Sequence, residues 1–433
     1  MNQKGVDRGQ WTVKTLRIAA LLFTTYCSLA TVLHADRLIA SGFETNNLTQ
    51  TEWSATSGTV SVVSTAKHSG TYALLSNPSS SIGYSHRAFG SNITSGTVYD
   101  HFYFCIDTFP NANPVTLEHG NSGGTTIATV DFVTSGSTWR IVNAVTTTTV
   151  TGVTALSTGS CTTAGTWYRI EFRVLLSDTV GVVEGILYVG DSTTATETLS
   201  ITAEDTLTTN IGRVRVGLSV TNSTSDIYFD DVITNTSAGV APFNTSVGPS
   251  KIALLKPASD NTVTWTKTGA NCSATTNADC VDDEPGTPDD ASGYNTSATA
   301  NAEDRLDVGS LPAEVPSDAD MISLTLMDRW DGNGTTGTRT GHNLLWDELA
   351  AQTNGTTHSR CDVVAGTWSI SSTAQTPGFD LGARTKANVE AFAFGYEPLN
   401  NAECRITAIW ANVEWKAAAA APTGMPKRII YID

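Results

Sequence analysis

The sequence predicts an all-β protein built as two antiparallel β-sandwich domains in tandem, and three observations carry that prediction. The 433 residues are 40% hydrophobic but only 15% charged, with Thr, Ser, Gly and Asn filling the difference. That mix suits short strands and tight turns rather than helices. Apolar and polar residues also alternate in stretch after stretch. In 166–176, Tyr168, Ile170, Phe172, Val174 and Leu176 fall on one side and Trp167, Arg169, Glu171 and Arg173 on the other. This is the pattern of strands with one buried and one wet face, and its recurrence at short intervals implies two stacked sheets. Finally, a Ser/Thr/Gly/Pro-rich stretch at 236–250 separates 37–235 from 251–416 and reads as a linker.

The N-terminus comes first in the chain and reads as an export signal over residues 1–30. Lys4, Arg8, Lys14 and Arg17 precede an apolar run from Ile18 to about Leu33, and Ser28-Leu29-Ala30 offers small residues for cleavage. The run is short and broken by Thr and Ser, so a signal fits better than a membrane span. The formal net charge is −17, and removing 1–30 takes away a further +3 to leave −20. Such a surface repels nucleic acid and anionic lipid. Six cysteines remain after Cys27 leaves with the signal, an even count that favours disulfides in an exported chain. The expected pairs are Cys105–Cys161, Cys272–Cys280 and Cys361–Cys404. No CxxC or Cys/His cluster suggests zinc.

In the first domain, Val60, Val62 and the run 71–75 read as early strands. The aromatic stretch 98–106 follows, then 166–176, then 213–220 with Arg213 and Arg215 outward. The domain closes on Asp226-Ile-Tyr-Phe-Asp-Asp-Val232. Neighbouring side chains in a strand point to opposite faces, so one of Asp230 and Asp231 should share a face with Tyr228 and Val232. A buried carboxylate needs a cation or several donors, and Gly42-Phe43-Glu44 and His68-Ser69-Gly70 are candidate partners far upstream. On the wet side, Trp167, Arg169 and Arg173 would share a face with Arg213 and Arg215 if those strands lie in one sheet. Arg forks suit carboxylate or sulfate groups and Trp suits a sugar ring; the plainer reading is cross-strand pairing with Glu171 and Glu184.

The motifs "SGFE" at 41–44, "KHSGTYAL" at 67–74, "GTWYRIEF" at 165–172 and "IYFDDV" at 227–232 resemble the concanavalin A-like jelly-roll group, which includes laminin-G-like domains and calcium-containing carbohydrate-binding modules. The resemblance implies a jelly-roll fold and a structural calcium between the first and last strands. Glu44, Asp230 and Asp231 would supply carboxylates, and the turn at His68 would supply backbone carbonyls. Oxygen-only ligation is what calcium prefers; the alternative is that Asp230 or Asp231 accepts backbone amides or pairs with an arginine. The group also contains glycoside hydrolases whose carboxylates are spaced E-x-D-x-E or one residue longer on one strand. That spacing is absent here, as are G-x-S-x-G and H-E-x-x-H, so the expectation is a binding module and not an enzyme.

The second domain opens with "KIALLKP" at 251–257 and an acidic loop, 271–290. Strands are expected at 321–327, 389–396 and 405–415, with one short helical stretch at 342–352. The segments "LLKP…W" at 254–265, "CVDDEP…PDD…Y" at 280–294 and "FGYEP…RITAIWANVEW" at 394–415 resemble a β-sandwich module that recurs in phage virion structural proteins. Asp279, Asp282, Asp283, Glu284, Asp289 and Asp290, or Asp328 and Asp331 with Asn333, would hold further calcium or be solvated loops and a turn. Residues 417–433 read as an alanine-rich spacer and a β segment, Ile429–Ile432, suited to docking as an added strand in its own chain or a neighbour. The whole describes an exported, non-catalytic surface protein, secreted or held at the cell surface, with a lectin-like, glycan-binding first domain. The rival reading is a structural appendage protein, a phage-derived virion component or a filament or adhesin subunit.

Overall fold

The computed structural model describes residues 37–48, 52–163, 165–206, 210–239, 241–272, 276–288, 290–332, 341–349, 351–354, 369–370, 379–382, 384–401 and 403–418. Among them the first domain contains fifteen strands: β1 (Arg37–Ser41), β2 (Ala55–Gly58), β3 (Val60–Val63), β4 (Ala73–Ser76), β5 (Ser79–Ile93), β6 (Gly96–Thr108), β7 (Val115–Gly120), β8 (Thr126–Val133), β9 (Thr138–Asn143), β10 (Thr148–Thr151), β11 (Trp167–Leu176), β12 (Gly181–Val189), β13 (Glu197–Glu204), β14 (Ile211–Thr224) and β15 (Asp226–Thr236). They form two antiparallel sheets. The first runs β13-β12-β11-β6-β15-β4-β3 with β1 also on β15, and the second runs β10-β9-β8-β7-β14-β5-β2. From β4 to β7 the chain changes sheet at every connection, which wraps the layers around one core.

The alternation seen in the sequence sets which face is inside. In β6, Val98, Phe102, Phe104 and Ile106 meet Tyr168, Ile170, Phe172 and Val174 of β11 and Val214, Val216 and Leu218 of β14 in one core cluster. Each large apolar side chain so buried contributes roughly 1.5–3 kcal/mol. Asp100 of β6 and His119 of β7 also point inward, and His119 Nε2 lies 2.5 Å from Asp100 Oδ2, tying the sheets across the core. Cys105 and Cys161 are joined on the outer side of the first sheet.

The second domain contains β16 (Lys251–Leu255), β17 (Pro257–Thr262), β18 (Thr266–Thr268), β19 (Tyr294–Ser297), β20 (Asp304–Val308), β21 (Asp320–Gly332), β22 (Gly341–Trp346), β23 (Gln352–Asn354), β24 (Ser369–Ile370), β25 (Phe379–Asp380), β26 (Ala393–Pro398) and β27 (Cys404–Lys416). One sheet runs β18-β19-β27-β21-β24 with β16 on β27 and β25 on β21; the other runs β17-β20-β26-β22-β23. Trp265, Trp330 and Tyr396 pack edge to face between them.

Several expectations are corrected here. The stretch 342–352 is not helical: β22 pairs along β26, burying Leu344, Leu345 and Trp346, and its turn is capped by Asp347 Oδ1 accepting from Leu349 N and Ala351 N. Tertiary pairing overrides a passable helical pattern. Cys272 and Cys280 do not form the expected bridge. Both are buried thiols; Cys272 Sγ donates to Thr268 O (3.1 Å), and the short 3₁₀ turn at Ala278–Cys280 directs Cys280 Sγ to Thr276 O (3.4 Å). Cys404 is disulfide-bonded, while Cys361 lies outside the described residues, as do the signal segment, Asp289, Asn333 and the C-terminal β segment. In the acidic loop, Glu284 pairs with Lys256, Asp290 forks onto Arg329, and Asp279 accepts from Thr276 N, so these three carboxylates have protein partners.

The two domains meet in a polar seam. Arg37 and Glu414 form a buried ion pair at 2.5 Å, and Arg37 Nε donates to Asn235 Oδ1. Asn412 of β27 donates to buried Glu52, which also accepts from Ser41 and Thr45. Gly42 packs so closely on Ile252 that a Cβ there would lie 2.8 Å from Ile252 Cβ.

Candidate functional site

The four residues expected around a cation, Glu44, His68, Asp230 and Asp231, do come together, by a route that strict alternation hides. β15 is bulged between Asp230 and Ile233, and Asp231 is left-handed (φ 49°). A bulge rotates one residue out of the alternation. Both adjacent carboxylates therefore reach the 67–70 turn, and neither shares a face with Tyr228 and Val232 in the simple sense expected.

The turn presents its N–H groups to them and not, as expected, its carbonyls. Asp230 Oδ2 accepts from His68 N (2.8 Å) and Ser69 N (3.1 Å), and Oδ1 accepts from Asp231 N (2.8 Å). Asp231 accepts from Ser69 Oγ and, across the seam, from Ile252 N at 2.7 Å. Glu44 accepts from Thr71 N (2.8 Å) and Tyr72 N (3.1 Å). Gly70 N donates to Glu314 of the second domain. Gly70 is required twice over, since its φ is +64° and a Cβ would stand 2.1 Å from Glu44 Oε1.

His68 is not an oxygen ligand but a bridge. Its Nδ1 faces Asp231 Oδ2 at 2.9 Å, its Nε2 faces Asp191 Oδ1 at 3.3 Å, and its ring stacks on Tyr103 at 3.5 Å. Burial alone would lower its pKa, but the bonds to Asp191 and Asp231 raise it. Asp191 is held well below the carboxylate range: burial opposes this and is outweighed by His68 and Lys251. The deeper acids move the other way. Burial pushes Glu44 up to about 8 against the amides of Tyr72 and Thr71, with Asp231 and Glu314 adding repulsion. Burial, then Asp231 and Glu44, drive Asp230 well above its ordinary value. The donor set is all carboxylate oxygen, the chemistry a hard divalent cation takes. Among the described residues, however, no group of three or more His, Cys, Asp or Glu is already gathered as a metal shell.

The five expected ligand-face residues are divided. Trp167, Arg169 and Arg173 stand on β11 of the first sheet and Arg213 and Arg215 on β14 of the second, so their outward faces lie on opposite sides of the sandwich. Alternation fixes a side chain's face within its strand but not the sheet to which the strand belongs. Arg169 is wholly buried, 4.0 Å over the Tyr188 ring, donating to Gly190 O and Ser192 O. Trp167 packs beside the Cys105–Cys161 bridge and Tyr228. Arg169 is therefore closed to a ligand, whereas Trp167 stays half-buried. Arg213 and Arg215 both bind Glu118, a residue not singled out in the sequence because nothing local marks it.

Arg173 does line a groove. The linker crosses the outer face of the first sheet, with His101 Nε2 3.0 Å from Ser250 O and Ser246 Oγ donating to Glu171 Oε2 at 2.5 Å. Between linker and sheet lies a cavity of about 240 Å³ bounded by Tyr99, Glu171, Arg173, Glu184 and Ser246. Register sets Tyr99, Arg173 and Glu184 in one row across three strands, and Arg173 Nε meets Glu184 Oε1 at 2.8 Å. A larger cleft of about 580 Å³, between the linker and β21, is lined by Pro242, Asp320, Met321, Asp380 and Lys416 among others and has no aromatic wall.

No protein-family model and no curated protein matches the sequence. Among solved structures, the chain is similar to the cellulose induced protein Cip1 at 15% identity and a TM-score of 0.34, covering 48% of this chain and 99% of that one. It is similar to a GH131 β-glucanase catalytic domain from Podospora anserina at 11% identity and 0.29, covering 47% and 93%. Lectin II from Ulex europaeus matches at 11% identity and 0.27, covering 43% and 96%. None of these likenesses is close enough to carry a functional argument.

Proposed function

We propose that the protein is an exported, non-catalytic carbohydrate-binding protein whose ligand sits in the groove between the first sheet and the linker. The observation that carries this reading is the row Tyr99–Arg173–Glu184, an aromatic ring beside a fixed guanidinium–carboxylate pair on a rigid sheet, walled by Ser246. Such a row offers a ring face, donors and acceptors at strand spacing, which is what a sugar's alternating apolar faces and hydroxyls use. A volume of about 240 Å³ falls below the roughly 300–1,000 Å³ of sites for drug-sized ligands and suits a single sugar unit. The disulfide Cys105–Cys161 supports an oxidising compartment. Both groove carboxylates are already held by arginine, Glu184 by Arg173 and Glu171 by Arg169, which supports binding without hydrolysis.

In the same reading a structural calcium is held by Glu44, Asp230 and Asp231. What supports it is charge: of three buried carboxylates, Glu44 and Asp230 face only amide dipoles, and the one nearby imidazole, His68, is shared between Asp231 and Asp191. The ion would supply the missing positive charge.

The test is a glycan array probed with the full secreted chain, beside Tyr99→Ala and Arg173→Ala. Binding to defined glycans, lost at least tenfold in both variants with folding intact, is the expected result. Glycan binding untouched by either substitution, or release of reducing ends from the bound glycan, would overturn the groove assignment or the non-catalytic reading respectively.

A further inference from the structure

The opposite outer face of the first domain, on the second sheet, carries a compact cationic patch in a chain of net charge −17. Arg213 and Arg215 project outward between the buried Val214 and Val216. Pairing sets Arg215 directly between Glu118 of β7 and His86 of β5, and Arg213 between Gly120 and Ala88. A single carboxylate serves both guanidinium groups: Glu118 Oε1 accepts from Arg213 Nη2 (3.1 Å) and Arg215 Nη1 (3.0 Å), and Oε2 from Arg215 Nη1 (2.9 Å). Two full positive charges thus face one negative charge, with an imidazole alongside.

Both guanidinium groups are fixed in place. A Cβ on Gly120 would lie 2.7 Å from Arg213 Nε, so the backbone itself forms the seat, and Gly124 O closes it by accepting from Arg213 Nη2 at 2.7 Å. Arg215 lies 4.8 Å over the ring of Tyr84. Three nitrogens in this patch, Arg213 Nε, Arg215 Nε and His86 Nδ1, are buried without a hydrogen-bond partner. Unpaired buried polar groups are costly and rare unless something else satisfies them. Burial, then repulsion from Arg215 and Arg213, lowers the pKa of His86, consistent with a locally positive field.

We propose that this patch binds the oxyanion group of an acidic saccharide, a uronate carboxylate or a sulfate ester, as a site separate from the linker groove. Guanidinium forks match these planar or tetrahedral oxyanions in geometry as well as charge.

The experiment is calorimetric titration of the full chain with trigalacturonic acid, its fully methyl-esterified form, a heparin-derived disaccharide and sodium sulfate. An acidic saccharide should bind, the neutral ester at least tenfold more weakly, and added salt should weaken the complex. Whether the uronate or the sulfated sugar binds tighter identifies the source of the oxyanion. Arg215→Gln should cost at least tenfold. Because that substitution loosens Glu118, Arg213→Lys is the second variant; it keeps the charge but removes the fork, and should cost several-fold with an unchanged melting temperature. Arg173→Ala in the groove should leave acidic binding unchanged. Equal affinity for acid and ester, wild-type affinity in both arginine variants, loss of acidic binding in Arg173→Ala, or competition by sodium sulfate at the saccharide's own concentration would each overturn the proposal.

Discussion

The seam and the second-sheet patch both bury carboxylates, yet they neutralise them in opposite ways. At the seam, Asp230, Asp231 and Glu44 face backbone N–H groups from 68–72 and Ile252. On the second sheet, Glu118 and Asp131 face the side chains of Arg213, Arg215 and Arg140. Amide dipoles are fixed by the fold, so the seam carboxylates are inseparable from backbone geometry: a bulge, a left-handed Asp231 and a glycine at 70 that nothing can replace. Guanidinium groups belong to side chains that keep spare donors and some exposure. The first arrangement locks a structure, and the second leaves charge available for a partner.

The widest expected separation between the two is in stability. Asp231→Ala would leave Ile252 N, Ser69 Oγ and His68 without their acceptor inside the joint between domains, costing about 3–5 kcal/mol. Asp131→Ala, whose partner Arg140 is partly exposed, should cost about 1–2 kcal/mol, since Arg140 can turn to water. Denaturant melts of the two variants check this; equal losses would erase the distinction between a caged and a side-chain-paired carboxylate.

The next separation is in pH. Glu44 has a folded-state pKa raised to about 8 and Glu52, also at the seam, to about 7, both mainly by burial. A raised carboxyl favours the folded state in its neutral form. Its contribution is full below the unfolded value near 4.5 and is lost as pH climbs through the folded value. The chelated protein should therefore lose a few kcal/mol between pH 4.5 and 8. Calcium should restore most of that loss at pH 8, because an ion bound only by the native state adds stability, and Asp230→Asn should remove the calcium response. A chelated protein with a flat profile over this window, or one indifferent to calcium at pH 8, would defeat the cation reading of the seam.

How much of this was legible in the sequence follows from what each pattern encodes. Alternation in 166–176 and 213–220 gave the strands and their buried faces, because one face must exclude water. It cannot say that the two strands belong to different sheets, which is set by pairing partners far away, so the shared face of Arg173 and Arg215 stands only on the condition of one sheet, and that condition fails. The Asp-Asp pair announced a buried charge, but the bulge that aims both at His68 and Ser69 depends on the turn that receives them. Asp100, His119 and Glu118 carried no local mark, being polar residues that only the meeting of strands makes neighbours. The short spacing from Cys272 to Cys280 suggests a bridge by loop length alone, whereas sulfur direction is decided by the 3₁₀ turn at Ala278–Cys280.

The smallest expected effect is also the sharpest test of the contrast, because it changes charge while nearly preserving shape. Glu118→Gln keeps one oxygen where Arg213 Nη2 and Arg215 Nη1 both donate, and loses only the negative charge beneath two partly exposed guanidinium groups. Glu118 is itself buried, but Gln keeps its shape and one acceptor, and both arginines retain some contact with water, so the loss should be about 1 kcal/mol and the melting temperature should fall by only a few degrees. Raising salt should shrink the difference from wild type, since screening acts on exposed charge. The same salt should leave the cost of Asp231→Ala nearly unchanged, because its partners Ile252 N, Ser69 Oγ and His68 Nδ1 are buried with it, where screening acts little. Glu118→Gln should also leave an acidic saccharide bound at least as tightly as in wild type, as the patch then faces it with two uncompensated guanidinium groups. If instead Glu118→Gln unfolds the domain regardless of salt, the second-sheet arginines are a structural cage like the seam, with no charge to spare for a ligand.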